Sequence, residues 1–199
     1  MKTKLLLLFL VATLNSFAQD RYETIKIALQ LVKSKTTIDG KDKRVLNLLE
    51  NMYNETLQAN EGQLSEATIN MYKTFAEDPT LPNSHLFYLF NLYQEEIQNP
   101  EVSSDFQIGC MKLLSGEFVE TYNTIPAIVL IYMGEALMAA NMQDKAKTHF
   151  EMASGFYPDS VPIKVYNYIL ADEGSAKEKM KKGLLKRYPD HWMVTQMVK

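Results

Sequence analysis

A chain of 199 residues, 46% apolar and 23% charged, fits one compact domain or one short solenoid and can bury a substantial core. Its formal charge of −3 argues against a nucleic-acid backbone as the main partner. A single cysteine, Cys110, excludes an intramolecular disulfide, and its apolar neighbours at helical spacing predict a buried, inert thiol.

The N-terminus reads as an export signal. Met1-Lys2-Thr3-Lys4 is basic, Leu5–Leu14 is apolar, and Asn15-Ser16-Phe17-Ala18 ends in a small-x-small site, which predicts a secretory signal peptide over 1–18 cleaved after Ala18. The apolar run falls well short of the roughly 20 residues of a membrane-spanning helix, and the polar Asn15-Ser16 break argues against an uncleaved anchor. No cysteine stands at the cleavage point to carry a lipid. Cleavage removes Lys2 and Lys4 and no acid, which moves the formal charge from −3 to −5. No second segment approaches spanning length, so an exported, soluble domain over 19–199 is expected, periplasmic or extracellular.

Past the signal the periodicity is helical. Tyr22, Ile25, Ala28, Leu29 and Val32 form one face of a helix over 21–34. A long helix is predicted over 41–59, with Val45, Leu48, Leu49, Met52, Tyr53 and Leu57 inward, before the turn Asn60-Glu61-Gly62. Ser65 caps a helix carrying Ala67, Met71 and Phe75 that ends before Asp78-Pro79. Ser84 is the expected N-cap of the aromatic helix 86–97, which Asn99-Pro100 ends. Ser103-Ser104-Asp105 caps a helix over 105–119, and Thr124-Ile125-Pro126 leads into a hairpin over 127–158. Ser160 caps 161–171 with Pro162 in the first turn. A helix over 177–187 follows and stops at Tyr188-Pro189-Asp190, and 192–198 closes the chain. No segment alternates as a strand does, and no linker divides the chain, so the fold class is all-α.

The hairpin is the most specific stretch. Leu130-x2-Met133-Gly134-x2-Leu137 is followed by Ala146-x3-Phe150, Ala153 and Pro158. Small residues at 134, 146 and 153 let two helices approach, Phe150 and Leu137 fill the gap, and Pro158 ends the second helix. This resembles the tetratricopeptide repeat, most closely over 127–160. Looser echoes flank it. Ala67, Met71, Thr74 and Pro79 keep the offsets of Ala146, Phe150, Ala153 and Pro158; Phe106, Cys110 and Leu113 keep the apolar positions; and Tyr188-Pro189-Asp190 repeats Tyr157-Pro158-Asp159.

The resemblance implies a short right-handed helix-hairpin solenoid of such repeats, the alternative being an irregular helical bundle. It further implies a non-catalytic scaffold or adaptor of a bacterial envelope. A protein or peptide partner would lie on the concave helical surface, around Asn123, Ile131, Glu135, Met138 and Asn141.

Catalytic machinery is not legible. There is no phosphate loop, nucleophile elbow or zinc motif. His85, His149 and His191 lie apart without metal-ligand spacing and read as surface or cap residues, and adjacent Glu95-Glu96 diverge on a helix. No cofactor or metal is expected. Lys177, Lys179, Lys181, Lys182, Lys186 and Arg187 read as a solvated helix face, or else as a patch for an acidic partner or a membrane surface. The run Phe87–Tyr93 reads as core. The alternative function is a binding protein for a small apolar or aromatic ligand held beside that run.

Overall fold

The computed structural model describes residues 22, 23, 25–59, 62–99 and 102–198; the expected export signal lies outside the described residues. Among them every regular element is helical: α1 (25–33), α2 (Arg44–Met52), a π-helical segment (Tyr53–Gln58), α3 (Glu66–Glu77), α4 (Ser84–Glu96) and α5 (Ser104–Tyr122). The chain continues with α6 (Ala127–Ala139), α7 (Gln143–Phe156), α8 (Val161–Leu170), α9 (Ser175–Arg187) and α10 (Trp192–Met197). None of these helices is long and apolar enough to cross a membrane.

Local chemistry explains most boundaries. Ser65, Ser103 and Ser160 each accept a hydrogen bond from the backbone N–H three residues on, at 3.2, 3.2 and 3.3 Å, which satisfies a donor the first turn leaves open. Pro162 lies in the first turn of α8, where no N–H is needed.

Several ends shift by two or three residues, with α2 starting at Arg44, α5 running on to Tyr122 and α9 starting at Ser175, and two places differ in kind. Ser84 is the first residue of α4, not its cap; that place belongs to Asn83, buried and left-handed at φ 62°. Asn83 is held there because its amide ties the 39–42 loop to α5: its Oδ1 accepts from Asp39 N–H (2.9 Å), and its Nδ2 faces Asp39 O (2.7 Å) and the Tyr122 hydroxyl (2.8 Å). The helix expected over 41–59 widens at Tyr53–Gln58, where the Thr56 hydroxyl donates to Met52 O at 2.6 Å and competes for the backbone ladder.

From α4 to α9 each helix packs on the next, so α4, α6 and α8 alternate with α5, α7 and α9. Across the α4–α6–α8 row lie α2, against α4 and α6, and the π segment, against α6 and α8. Val45, Leu48 and Leu49 of α2 are fully buried there. Gln58 fastens the end of this cover: Oε1 accepts from Val161 N–H at 2.9 Å, and Nε2 donates to Asp159 O at 3.3 Å. With α5, α7, α2 and the π segment around it, α6 is buried on nearly every side, as its near-continuous apolar sequence requires.

Helix α1 lies on α5. Its Lys33 Nζ is 2.6 Å from Glu117 Oε2 and 3.4 Å from Glu120 Oε2, and the Tyr22 ring covers Gly109.

The repeat echo at Ala67 is not realised as packing. Ala67 and Thr74 are exposed, and α3 instead turns Thr68 and Phe75 inward, one residue further along. Thr68 is drawn in because its hydroxyl donates to Glu55 Oε1 at 2.8 Å, while Phe75 stacks on Phe87 at 5.6 Å. The echo at Phe106 and Cys110 does lie in the core, with Leu113 partly buried beside it.

Candidate functional site

The α6–α7 hairpin is built by the small residues. Ala146 and Ala153 are completely buried, and a β-carbon at Gly134 would stand 2.2 Å from Phe150 Cζ. Phe150 is clamped from the other side by Tyr166 of α8, stacked at 4.6 Å and 11°. Leu130 and Leu137 are buried, and Pro158 stands exposed in the turn after α7. Tyr157 closes the hairpin by donating its hydroxyl hydrogen to Ile125 O at 2.7 Å.

The residues expected to meet a partner do not form one open face. Ile131 is 1% exposed and belongs to the core, a correction that follows from the packing of α2 and the π segment over α6. Glu135 is partly buried and accepts from the Tyr166 hydroxyl; burial pushes its carboxyl above the ordinary range, against that hydrogen bond. Met138 is partly buried. Asn123 and Asn141 are exposed at opposite ends of α6, left-handed at φ 55° and 57°, in the turns that end α5 and α6. Their amides suit a conformation that most side chains avoid.

The open concavity is on the other row. Between α5 and α7, floored by α6, a groove of about 940 Å³ is lined by Phe106, Ile108, Met133, Leu137, Met142 and Met152. Tyr22 stands at its edge, and Asp105, Lys112, Asp144 and Lys145 supply charge of both signs. His149 faces the groove with Nε2 2.7 Å from Leu130 O; burial depresses its pKa, so the ring is neutral near pH 7 and donates from that nitrogen. Met152 is half exposed, and Phe156, one turn further on the same face of α7, is 69% exposed. These thioethers were visible in the sequence as apolar positions. Nothing in their spacing said that α5 and α7 would part above them.

The other candidates resolve into structure. His85 is completely buried, not a surface residue, with Nε2 3.5 Å from Glu117 Oε2; His191 is the buried cap of α10, its Nδ1 accepting from Met193 N–H at 3.2 Å. The aromatic helix is core: Phe87 packs on Phe75 and Tyr72, while Phe90 and Tyr93 pack on Tyr132. Cys110 is buried, and desolvation pushes its thiol up to about 12. Glu95 is exposed and accepts from Asn91 Nδ2 at 2.7 Å. Among the described residues no three histidines, cysteines or carboxylates are grouped to hold a metal ion.

Compared with known protein families, with curated proteins and with solved structures, the chain matches none of them.

Proposed function

We propose that this chain is an exported, non-catalytic interaction scaffold, an array of tetratricopeptide-like hairpins that receives an amphipathic helix of a protein partner in the α5–α7 groove. The observation that carries the reading is the groove itself, an apolar trough floored and walled by Met133, Leu137, Met142 and Met152 and edged by charges of both signs. Thioether side chains adapt to the shape of an incoming apolar face, and mixed charges at the edge suit the polar flanks of a helix. The α4–α6–α8 row, where a concave site was expected, carries α2 and the π segment and is already covered. The tight Gly134–Phe150 hairpin supports the repeat reading, and the Leu5–Leu14 run with its Ala18 site supports export.

The test is a photo-crosslinking side chain placed at position 152 in the full chain, with position 69, exposed on α3, as control. The expected result is a discrete adduct from position 152 to one protein, mapping to a helical segment with an apolar stripe, and no such adduct from position 69. Adducts only to a small apolar molecule would overturn the scaffold reading in favour of a ligand-binding protein. Equal protein adducts from both positions would remove the groove from the function.

A further inference from the structure

A second groove runs along α8, between α7 and α9 at one end and between α8 and α9 at the other, the two parts sharing Asn167 and Met180, and its charges are matched at one end only. Near the start of α9, Lys147 Nζ is 2.6 Å from Asp172 Oδ2 and Lys177 Nζ is 2.8 Å from Glu173 Oε1. At the other end a cavity of about 240 Å³ opens between α8 and α9, walled by Met180, Gly183 and Leu184 and bounded by Lys164, Arg187 and Tyr188. Nothing stands within 4 Å of where a β-carbon on Gly183 would be.

Of the cations here only Lys164 has an acidic partner, and that one is distant. Lys164 Nζ reaches the Tyr188 hydroxyl at 3.5 Å and, at the limit of an ion pair, the fully exposed Asp159 at 4.0 Å. Among the described residues no carboxylate lies within ion-pair distance of Lys179, Lys182, Lys186 or Arg187. The dipole of α9 accounts for Lys186 and Arg187 in its last turn. It does not account for Lys164, which enters from a different helix, or for the apolar recess that Lys164 and Arg187 flank.

We propose that this end of the groove docks an extended acidic segment of a protein partner. A carboxylate of that segment sits between Lys164 Nζ and the Arg187 guanidinium, and the apolar side chain next to it enters the recess against Met180 and Leu184. Charge complementarity selects the acid, and the recess selects the apolar neighbour. An anionic membrane would engage cations spread over an outward face; two cations from two helices bordering one recess suit a single side-chain carboxylate instead. The site is separate from the α5–α7 groove and stands or falls without it.

The probe is a short fluorescent peptide of alternating glutamate and leucine, measured by anisotropy against the full chain at low salt. A glutamine–leucine peptide and phosphatidylglycerol vesicles serve as the other arms. Wild type is expected to bind the glutamate peptide and not the glutamine one. The pair Lys164→Gln with Arg187→Gln is expected to weaken binding about tenfold or more, a loss of about 1.4 kcal/mol. The pair Lys179→Gln with Lys182→Gln, which removes the same charge from the exposed face of α9, is expected to weaken it by less than about threefold. Melting temperatures of both variants keep a folding defect from passing as a binding one. Equal losses from the two pairs, equal binding of the glutamine peptide, no peptide binding, or binding to vesicles alone would each overturn the proposal.

Discussion

The ring of Phe150 occupies the space that a side chain at position 134 would need: a β-carbon on Gly134 would lie 2.2, 2.4 and 2.8 Å from three of its ring carbons. Phe150 is completely buried and stacked on Tyr166, so it has no free direction in which to yield. The contact sets how closely α6 and α7 approach.

Gly134→Ala therefore destabilises the fold despite alanine's higher helix propensity. Overpacking costs about 1–3 kcal/mol and outweighs a propensity gain of at most about 1 kcal/mol. Gly116, inside α5, has nothing within 4 Å of the added atom, so Gly116→Ala has the opposite sign, a gain of about 0.5–1 kcal/mol. Urea midpoints of the two variants check both signs; a stabilised Gly134→Ala would mean the helices are not so closely held.

Glu117 couples three helices, and its acid limb should show it. His85 of α4 and then Lys33 of α1 hold its carboxyl below the ordinary range, against the opposing effect of burial. Its contribution is complete above the unfolded value of about 4.3 and is lost as pH falls through the lower folded value. Glu117→Gln is expected to cost about 1–3 kcal/mol at pH 7 and to flatten the fall in stability between pH 5 and 3. Hydrogen exchange in α1 checks where the loss appears, because Lys33 ties that helix to Glu117 of α5.

Glu135 carries the opposite slope. Burial raises its pKa, so its contribution is present below the ordinary carboxylate range and is lost as pH rises through the raised folded value. Glu135→Gln keeps an acceptor for the Tyr166 hydroxyl without a charge to desolvate. It is expected to raise stability at pH 7 and to leave it unchanged near pH 3, by urea midpoints at the two pH values.

Asn83 serves as turn residue and loop anchor together. Asn83→Ala loses the side-chain bonds to Asp39 and the Tyr122 hydroxyl and places a β-branchless but chiral residue at φ 62°. The expected cost is about 2–4 kcal/mol, larger than that of Tyr122→Phe at about 1–2 kcal/mol, since only the first also strains the backbone. Thermal melts of both variants rank them.

Cys110 should be silent in the native state. A buried thiol with its pKa near 12 has almost no thiolate at pH 8, so a thiol reagent is expected to react only at the rate of opening. Immediate stoichiometric labelling of folded protein would contradict this.

Helix capping and periodicity were legible because they are local. Ser65, Ser103 and Ser160 cap as their positions suggested, since a side-chain oxygen reaches a backbone N–H three residues on whatever surrounds it. The Gly134, Ala146, Phe150 and Ala153 set was readable for a related reason: both helices of that hairpin lie within a few turns of each other in sequence. The errors were long-range. Ala67 resembled Ala146 in spacing, yet Thr68 is the residue turned inward, drawn by a glutamate thirteen positions earlier. Ile131 and Glu135 looked like inner-surface residues, yet α2 and the π segment cover their row.

The sequence by itself determined the helices, the serine caps at 65, 103 and 160 and the packing of the α6–α7 hairpin, because each rests on contacts between residues near in the chain. The tertiary structure alone decided which helix faces remained open. The α4–α6–α8 row is closed by a segment some 80 residues earlier than α6, and the α5–α7 groove exists because two helices that are not neighbours in sequence stand apart above α6. Exposure is a property of everything that packs nearby, and no local pattern encodes it.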